Sequence, residues 1–283
     1  MNRIGVRGHD FGKMNVDVLP KYIKELGFEA VQLAPVKAIK DINSFEDITE
    51  GVLEKSKEEF LKNDVEISVY GCYVEIGMLD KAKRLEQVDK FIKGISHTKR
   101  IGANLVGTET TGFPLNGDNR EAAYQGLKDS VLRMVEEAEK QNVCIGIEPV
   151  ARHTLNSPEL TKRLLDEVNS DKLKVIIDAV NLFTVENIHD QQKIITNCFE
   201  FFGDKIEVLH LKDITLIGDR NRDEMKIVND TFKWECIGNG IVDYKHIFSF
   251  VKNKNVSLLR EGATIESYKT DLNNTRSVLN TIQ

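Results

Sequence analysis

The stretch VCIGIEPVARHTLNSPELTKRLLDEVNSDKLKVIID, residues 143–178, decides the fold. It opens on a short apolar run, 143–147, that reads as a strand. Ser157 followed by Pro158 then marks a helix start: a Ser hydroxyl can accept a free N–H of the first turn, and Pro needs no partner there. That helix covers 157–168, and a second apolar run, 174–177, returns to strand. The stretch is therefore one strand–helix–strand unit. Such units imply parallel strands joined by right-handed crossovers.

Working outward, the same alternation continues. Strands are expected at 3–7, 30–33, 66–70 and 104–107 before the quoted stretch, and at 206–211 and 256–259 after it. The helices between them are expected at 16–26, closed by Gly27, at 43–61, at 80–101 with Asp80 as cap, and at 118–140. Further helices are expected at 185–202, ending at Gly203, at 243–251 and at 265–282, with a long polar loop running from 211 to Gly240. Eight β-then-α units in 283 residues fit an α/β fold of one (β/α)8 TIM barrel better than an open sheet. No Pro/Gly/Ser-rich linker interrupts the series, so 1–283 reads as a single domain.

Composition agrees with a globular chain. Hydrophobic residues make up 41% and charged residues 30%, with 19 Gly and 5 Pro, which excludes a disordered or collagenous chain. The 39 Lys+Arg against 45 Asp+Glu leave a net charge of -6, which disfavours nonspecific nucleic-acid binding. No run approaches the roughly 18 apolar residues of a membrane span. The start carries no signal-peptide pattern, so the expected compartment is the cytoplasm. The 4 Cys are far apart without a C-x-x-C pair and read as buried free thiols.

Barrel enzymes carry their chemistry where strands end and βα loops begin. Four consecutive strands here end on, or carry, Glu148, Asp178, His210 and Glu261. One acidic residue after a strand usually caps a helix. A lone His in an apolar strand is usually a hydrogen-bonded core residue. Four together differ, because three carboxylates on one rim repel each other unless protonated or offset by a cation. Three oxygen donors and one imidazole suit Mn2+, Mg2+, Co2+ or Zn2+.

These four residues, with Leu26-Gly-Phe-Glu-Ala-Val-Gln-Leu33, His210-Leu-Lys-Asp213 and Trp234-Glu-Cys-Ile-Gly238-Asn-Gly240, resemble the xylose isomerase-like TIM-barrel superfamily over essentially the whole chain. That group holds sugar isomerases, ketose 3-epimerases and apurinic endonucleases. The resemblance implies a divalent metal held by Glu148, Asp178, His210 and Glu261, with Glu148 and Glu261 also moving protons. The implied reaction shifts a proton on carbon next to a carbonyl, through an enediolate. It also suggests a homodimer. The negative charge, read with this metal set, points to a neutral sugar or polyol substrate.

Around these ligands, His9, Glu109, Arg152, Asn181 and Lys212 are candidate substrate contacts. For Glu109 and Arg152 a solvated rim position is the favoured reading. Asn181 stands where the family often has a His, so it can hydrogen-bond a hydroxyl but cannot carry a proton. Lys212 is read as alternating to the strand face opposite His210. Arg220 and Arg222 read as solvated, and Gly238-Asn-Gly240 as a turn first. Two other functions compete. An inosose-type dehydratase would use the same site as a lyase. An apurinic endonuclease would need further His ligands, which strands three and four and position 181 do not supply.

Overall fold

The computed structural model describes residues 2–113, 118–217, 232–252 and 254–282. Arg220 and Arg222 lie outside them. Eight strands close into a barrel in the order β1 (Ile4–Arg7), β10 (Ser257–Arg260), β7 (Ile206–Leu211), β6 (Leu173–Asp178), β5 (Cys144–Glu148), β4 (Leu105–Glu109), β3 (Glu66–Gly71) and β2 (Ala30–Leu33). Every pairing around the barrel is parallel. The connecting helices form the outer ring of a (β/α)8 TIM barrel. No helix among the described residues is long and apolar enough to cross a membrane.

Two apolar layers hold it together. A large shell packs the outward strand faces against the helices, with Phe28, Phe60, Phe91 and Phe248 fully buried. A small plug inside the barrel consists of Ala30, Val69, Leu105, Ile176, Val208 and Leu259. The plug is tight. A Cβ on Gly146 would lie 2.7 Å from a Leu105 methyl and 3.0 Å from one of Ile176, so β5 can pass there only without a side chain. Because strand side chains alternate, the residue two positions beyond each plug residue also faces the axis, one layer nearer the C-terminal rim. Ile176 leads to Asp178, Val208 to His210, Leu259 to Glu261, Ala30 to Gln32, and Gly146 to Glu148. The plug is thus the floor of the candidate site.

The helices expected at 80–101 and 157–168 appear as Lys81–Ile101 and Pro158–Val168, with Asp80 and Ser157 as caps. Other helices start later than expected, for one shared reason. The helix expected over 43–61 is Glu50–Lys62, because the Asp47 carboxylate accepts the N–H groups of Asn43 and Ser44 and holds a turn there. The helix expected from 185 starts at Gln191, after reciprocal bonds between Thr184 and Asn187. The last helix starts at Tyr268, after the same device between Thr264 and Ser267. Short polar side chains there captured the backbone before the helix could. Two one-turn helices, Pro35–Ala38 and Ala179–Leu182, were not anticipated.

The long loop expected after β7 is corrected as well. It contains an antiparallel pair, β8 (Asp213–Leu216) with β9 (Phe232–Glu235). Asp213, fully buried, fixes the chain that follows by accepting the N–H groups of Ile214, Gly238, Gly240 and Val242 at 2.8–3.2 Å. Gly240 sits so close that a Cβ would meet the Asp213 carboxylate at 2.1 Å. Replacing Asp213 by Ala strands these donors in the interior. We expect a loss of about 3 kcal/mol, read as a lower urea midpoint. An unchanged midpoint would show that the donors find other partners.

Candidate metal centre and substrate pocket

Glu148, Asp178, His210 and Glu261 meet at the C-terminal end of the barrel, at 4%, 0%, 4% and 6% exposure. Buried charges of one sign need compensation. Donor atoms of Glu148, Asp178 and His210 lie within 4.8 Å of one another, close enough to hold one metal ion. Glu261 joins through His210, whose Nδ1 is 3.1 Å from Glu148 Oε2 and 3.4 Å from Glu261 Oε1. Neither contact is aligned as a hydrogen bond, and His210 Nδ1 remains buried without one, while Asp178 Oδ2 meets the Lys212 ammonium at 2.8 Å. An oxygen-rich set with one imidazole, its Nδ1 unpartnered, fits a hard or borderline divalent ion.

The other imidazole nitrogen is already occupied. His210 Nε2 is 2.7 Å from Gln32 Oε1, and Gln32 Nε2 donates to the Tyr73 hydroxyl at 2.7 Å. With Nε2–H donating to Gln32, the Nδ1 lone pair is left for a cation, an outer-sphere arrangement common among metal-bound imidazoles. Burial works against protonating His210. The carboxylates of Glu261 and Glu148 outweigh it and lift the pKa to about 9. The pull of this site on a cation is thus visible in its own histidine. Sequence reading missed Gln32; its signal was a lone amide within the apolar strand Ala30–Leu33.

Lys212 is the main correction. Its Nζ lies 2.8 Å from Asp178 Oδ2 and 2.6 Å from Glu261 Oε2, and it donates to Asn181 Oδ1 at 3.2 Å. It does not face away from His210, because residues two apart along a strand share a face. Burial disfavours its charge, but Asp178 and Glu261 more than offset that and raise its pKa. Burial likewise pushes the Glu261 carboxyl up, while His210, Lys212 and Arg7 overcome it and hold it ionised. Arg7 reaches Glu261 at 3.5 Å and grips Asp10 at 2.9 Å. Asp10 in turn accepts the N–H groups of Gly262 and Ala263 just beyond Glu261. Neither Arg7 nor Asp10 stood out in the sequence.

A cavity of about 590 Å³ opens above this centre, and Glu109, Arg152, Asn181, Lys212 and Glu261 all line it. Asn181 donates to Glu148 Oε1 at 2.6 Å, and its backbone N–H donates to Asp178. Glu109, beside Glu148 in register, lies 3.6 Å from His153 Nε2. Burial, with the nearby Glu148 charge, pushes its pKa up to about 7. His9 is not a lining residue of this cavity. It packs edge-on against Tyr73, and burial, then Arg7 and Lys37, push its pKa down to about 4. All four cysteines are free, with Cys72 and Cys198 buried and Cys144 and Cys236 half-buried.

A closed α/β barrel with such a donor cluster on its C-terminal rim belongs to the class of TIM barrels built around a rim site. Within that class, the sequence profile of the xylose isomerase-like TIM barrel matches residues 20–271, and the chain belongs to that family. No curated protein matches the sequence. Among solved structures, the chain is similar to a 3-keto-D-glucoside 4-epimerase of E. coli (15% identity, 99% of this chain and 100% of that one, TM-score 0.75). It is also similar to a probable 3-DHS dehydratase, AsbF, of Bacillus anthracis (16% identity, 96% and 98%, TM-score 0.72). A third is the IolI protein with a bound zinc atom (15% identity, 99% of each chain, TM-score 0.71).

Proposed function

We propose that the chain is a divalent-metal-dependent sugar isomerase or epimerase that moves a proton on carbon next to a carbonyl through an enediolate. The observation that carries the reading is the pair Glu148 and Glu261. They come from the end of β5 and from just beyond β10, and lie 3.1 and 3.4 Å from His210 Nδ1. Glu148, Asp178, His210 and Glu261 would hold the metal, which when bound supplies Lewis-acid polarisation of the substrate carbonyl. Glu261, held ionised by its cationic neighbours, takes the proton as general base. Glu148 returns it, steered by the Asn181 amide at 2.6 Å. Delivery on the opposite face epimerises; transfer between carbons isomerises. The substrate is a small sugar or polyol.

A dehydratase acting on inososes is the second reading, and Lys212 favours it. An ammonium lining the pocket can donate a hydrogen bond to a departing hydroxyl and stabilise the charge it takes on. Both readings are tested by incubating ketoses, aldoses and inososes with the Mn2+-loaded protein in deuterium oxide and following carbon-bound protons by NMR. Exchange without water loss is expected; exchange with formation of an enone selects the dehydratase. Absence of exchange across the panel, with intact metal binding, would sink both.

A further inference from the structure

Part of the cavity lining has no role in the proton chemistry. Arg152 stands there half-buried, and its guanidinium makes no hydrogen bond or ion pair among the described residues. The other cations of the cavity are all held. Arg7 pairs with Asp10 and Glu261, Lys212 with Asp178 and Glu261, and Arg260 with Asp271 and the Leu211 carbonyl. Glu109 attracts Arg152 only from beyond ion-pair distance, and burial pulls the Arg152 pKa down. Lys212, Arg7 and Arg260 each meet a carboxylate at ion-pair distance; Arg152 has only the more distant Glu109, so the donors of its guanidinium are left to bind an anion.

Trp234 also lines this cavity. It is 44% exposed, and its indole makes no hydrogen bond or ring contact among the described residues, although Phe232 two positions earlier is buried. We propose that Arg152 and Trp234 form a specificity subsite for the end of the substrate away from the reacting carbons. The guanidinium takes an anionic substituent, a carboxylate or a phosphate, and the indole takes a C–H face of the sugar. Arg suits both anions because its planar fork can donate two parallel bonds. The proposal rests on the sugar reading above, and it replaces the neutral substrate expected from the chain's overall charge.

Trp234 is the single Trp of the chain, so its emission reports on this cavity directly and without turnover. The full chain with Mn2+ is titrated with fructose, fructose 6-phosphate, tagaturonate and inorganic phosphate. At least one anionic ketose should shift Trp emission at a concentration about tenfold or more below that needed for fructose. Which one does so assigns the anion as phosphate or carboxylate. Arg152→Gln should erase the preference and Arg152→Lys retain part of it. Equal concentrations for all three ketoses, a preference that survives in Arg152→Gln, or no shift with either anionic ketose overturns the subsite. Deuterium exchange in neutral ketoses alone removes the subsite and leaves the sugar reading standing. Arg152-dependent phosphate binding without exchange in any sugar keeps the anion site and removes the sugar reading.

Discussion

Glu148→Gln and Glu261→Gln should each lower kcat/KM on the true substrate by about 10³-fold, the loss typical of removing a positioned proton-transfer group. Gln keeps the shape of each side chain, so packing over the plug survives, but it exchanges one acceptor oxygen for an N–H donor. What it removes is the negative charge and the ability to take a proton at the reacting carbon. The two variants should differ in detail. Glu261 is gripped by Lys212 at 2.6 Å and approached by Arg7 at 3.5 Å, so Glu261→Gln leaves two cations with less to hold. Glu148→Gln instead sets an amide against the Asn181 amide, which the 2.6 Å contact accommodates only if one of them turns. Both should weaken Mn2+ binding, because each replaces an anionic donor by a neutral one. Deuterium exchange and metal titration on the same samples separate the losses. Near wild-type exchange in both variants would remove Glu148 and Glu261 from the proton path.

The barrel and its rim were legible because the relevant signals are short-range and periodic. Apolar runs such as 206–211 can be buried on both faces only as strands of a covered sheet. The polar residues that close them then point to the rim. The period of two residues also held the information that was misread. Once His210 is placed inward, Lys212 follows it inward, and Gln32 sits one step above the plug residue Ala30. Other features were hidden because they depend on partners far away in sequence. Asp213 looks like part of a ligand motif, but it holds the backbone N–H groups of Ile214, Gly238, Gly240 and Val242. Arg7 and Asp10 gain meaning only when β1 closes against β10 and brings 261–263 beside them.

Lys212 supports the other large prediction, and it concerns stability. Its ammonium is the cation nearest to Asp178 and Glu261, both buried. Lys212→Met keeps a chain of similar length and removes the charge. Without metal, the three carboxylates then face each other with only His210 and the more distant Arg7 to offset them. Breaking a buried pair by deleting one partner costs about 3–5 kcal/mol, so the EDTA-treated variant should unfold at a much lower urea concentration than wild type. A divalent ion answers the same carboxylates. In wild type its charge adds to that of Lys212 and the two repel; in the variant it meets no such opposition. Mn2+ should therefore raise the urea midpoint of Lys212→Met more than that of wild type, and bind the variant more tightly. At a hundredfold excess over Kd, binding alone contributes about 2.7 kcal/mol, enough to recover most of the loss. Equal Mn2+ stabilisation of both proteins, or no loss of stability in EDTA, would mean that Lys212 and the metal do not share these carboxylates.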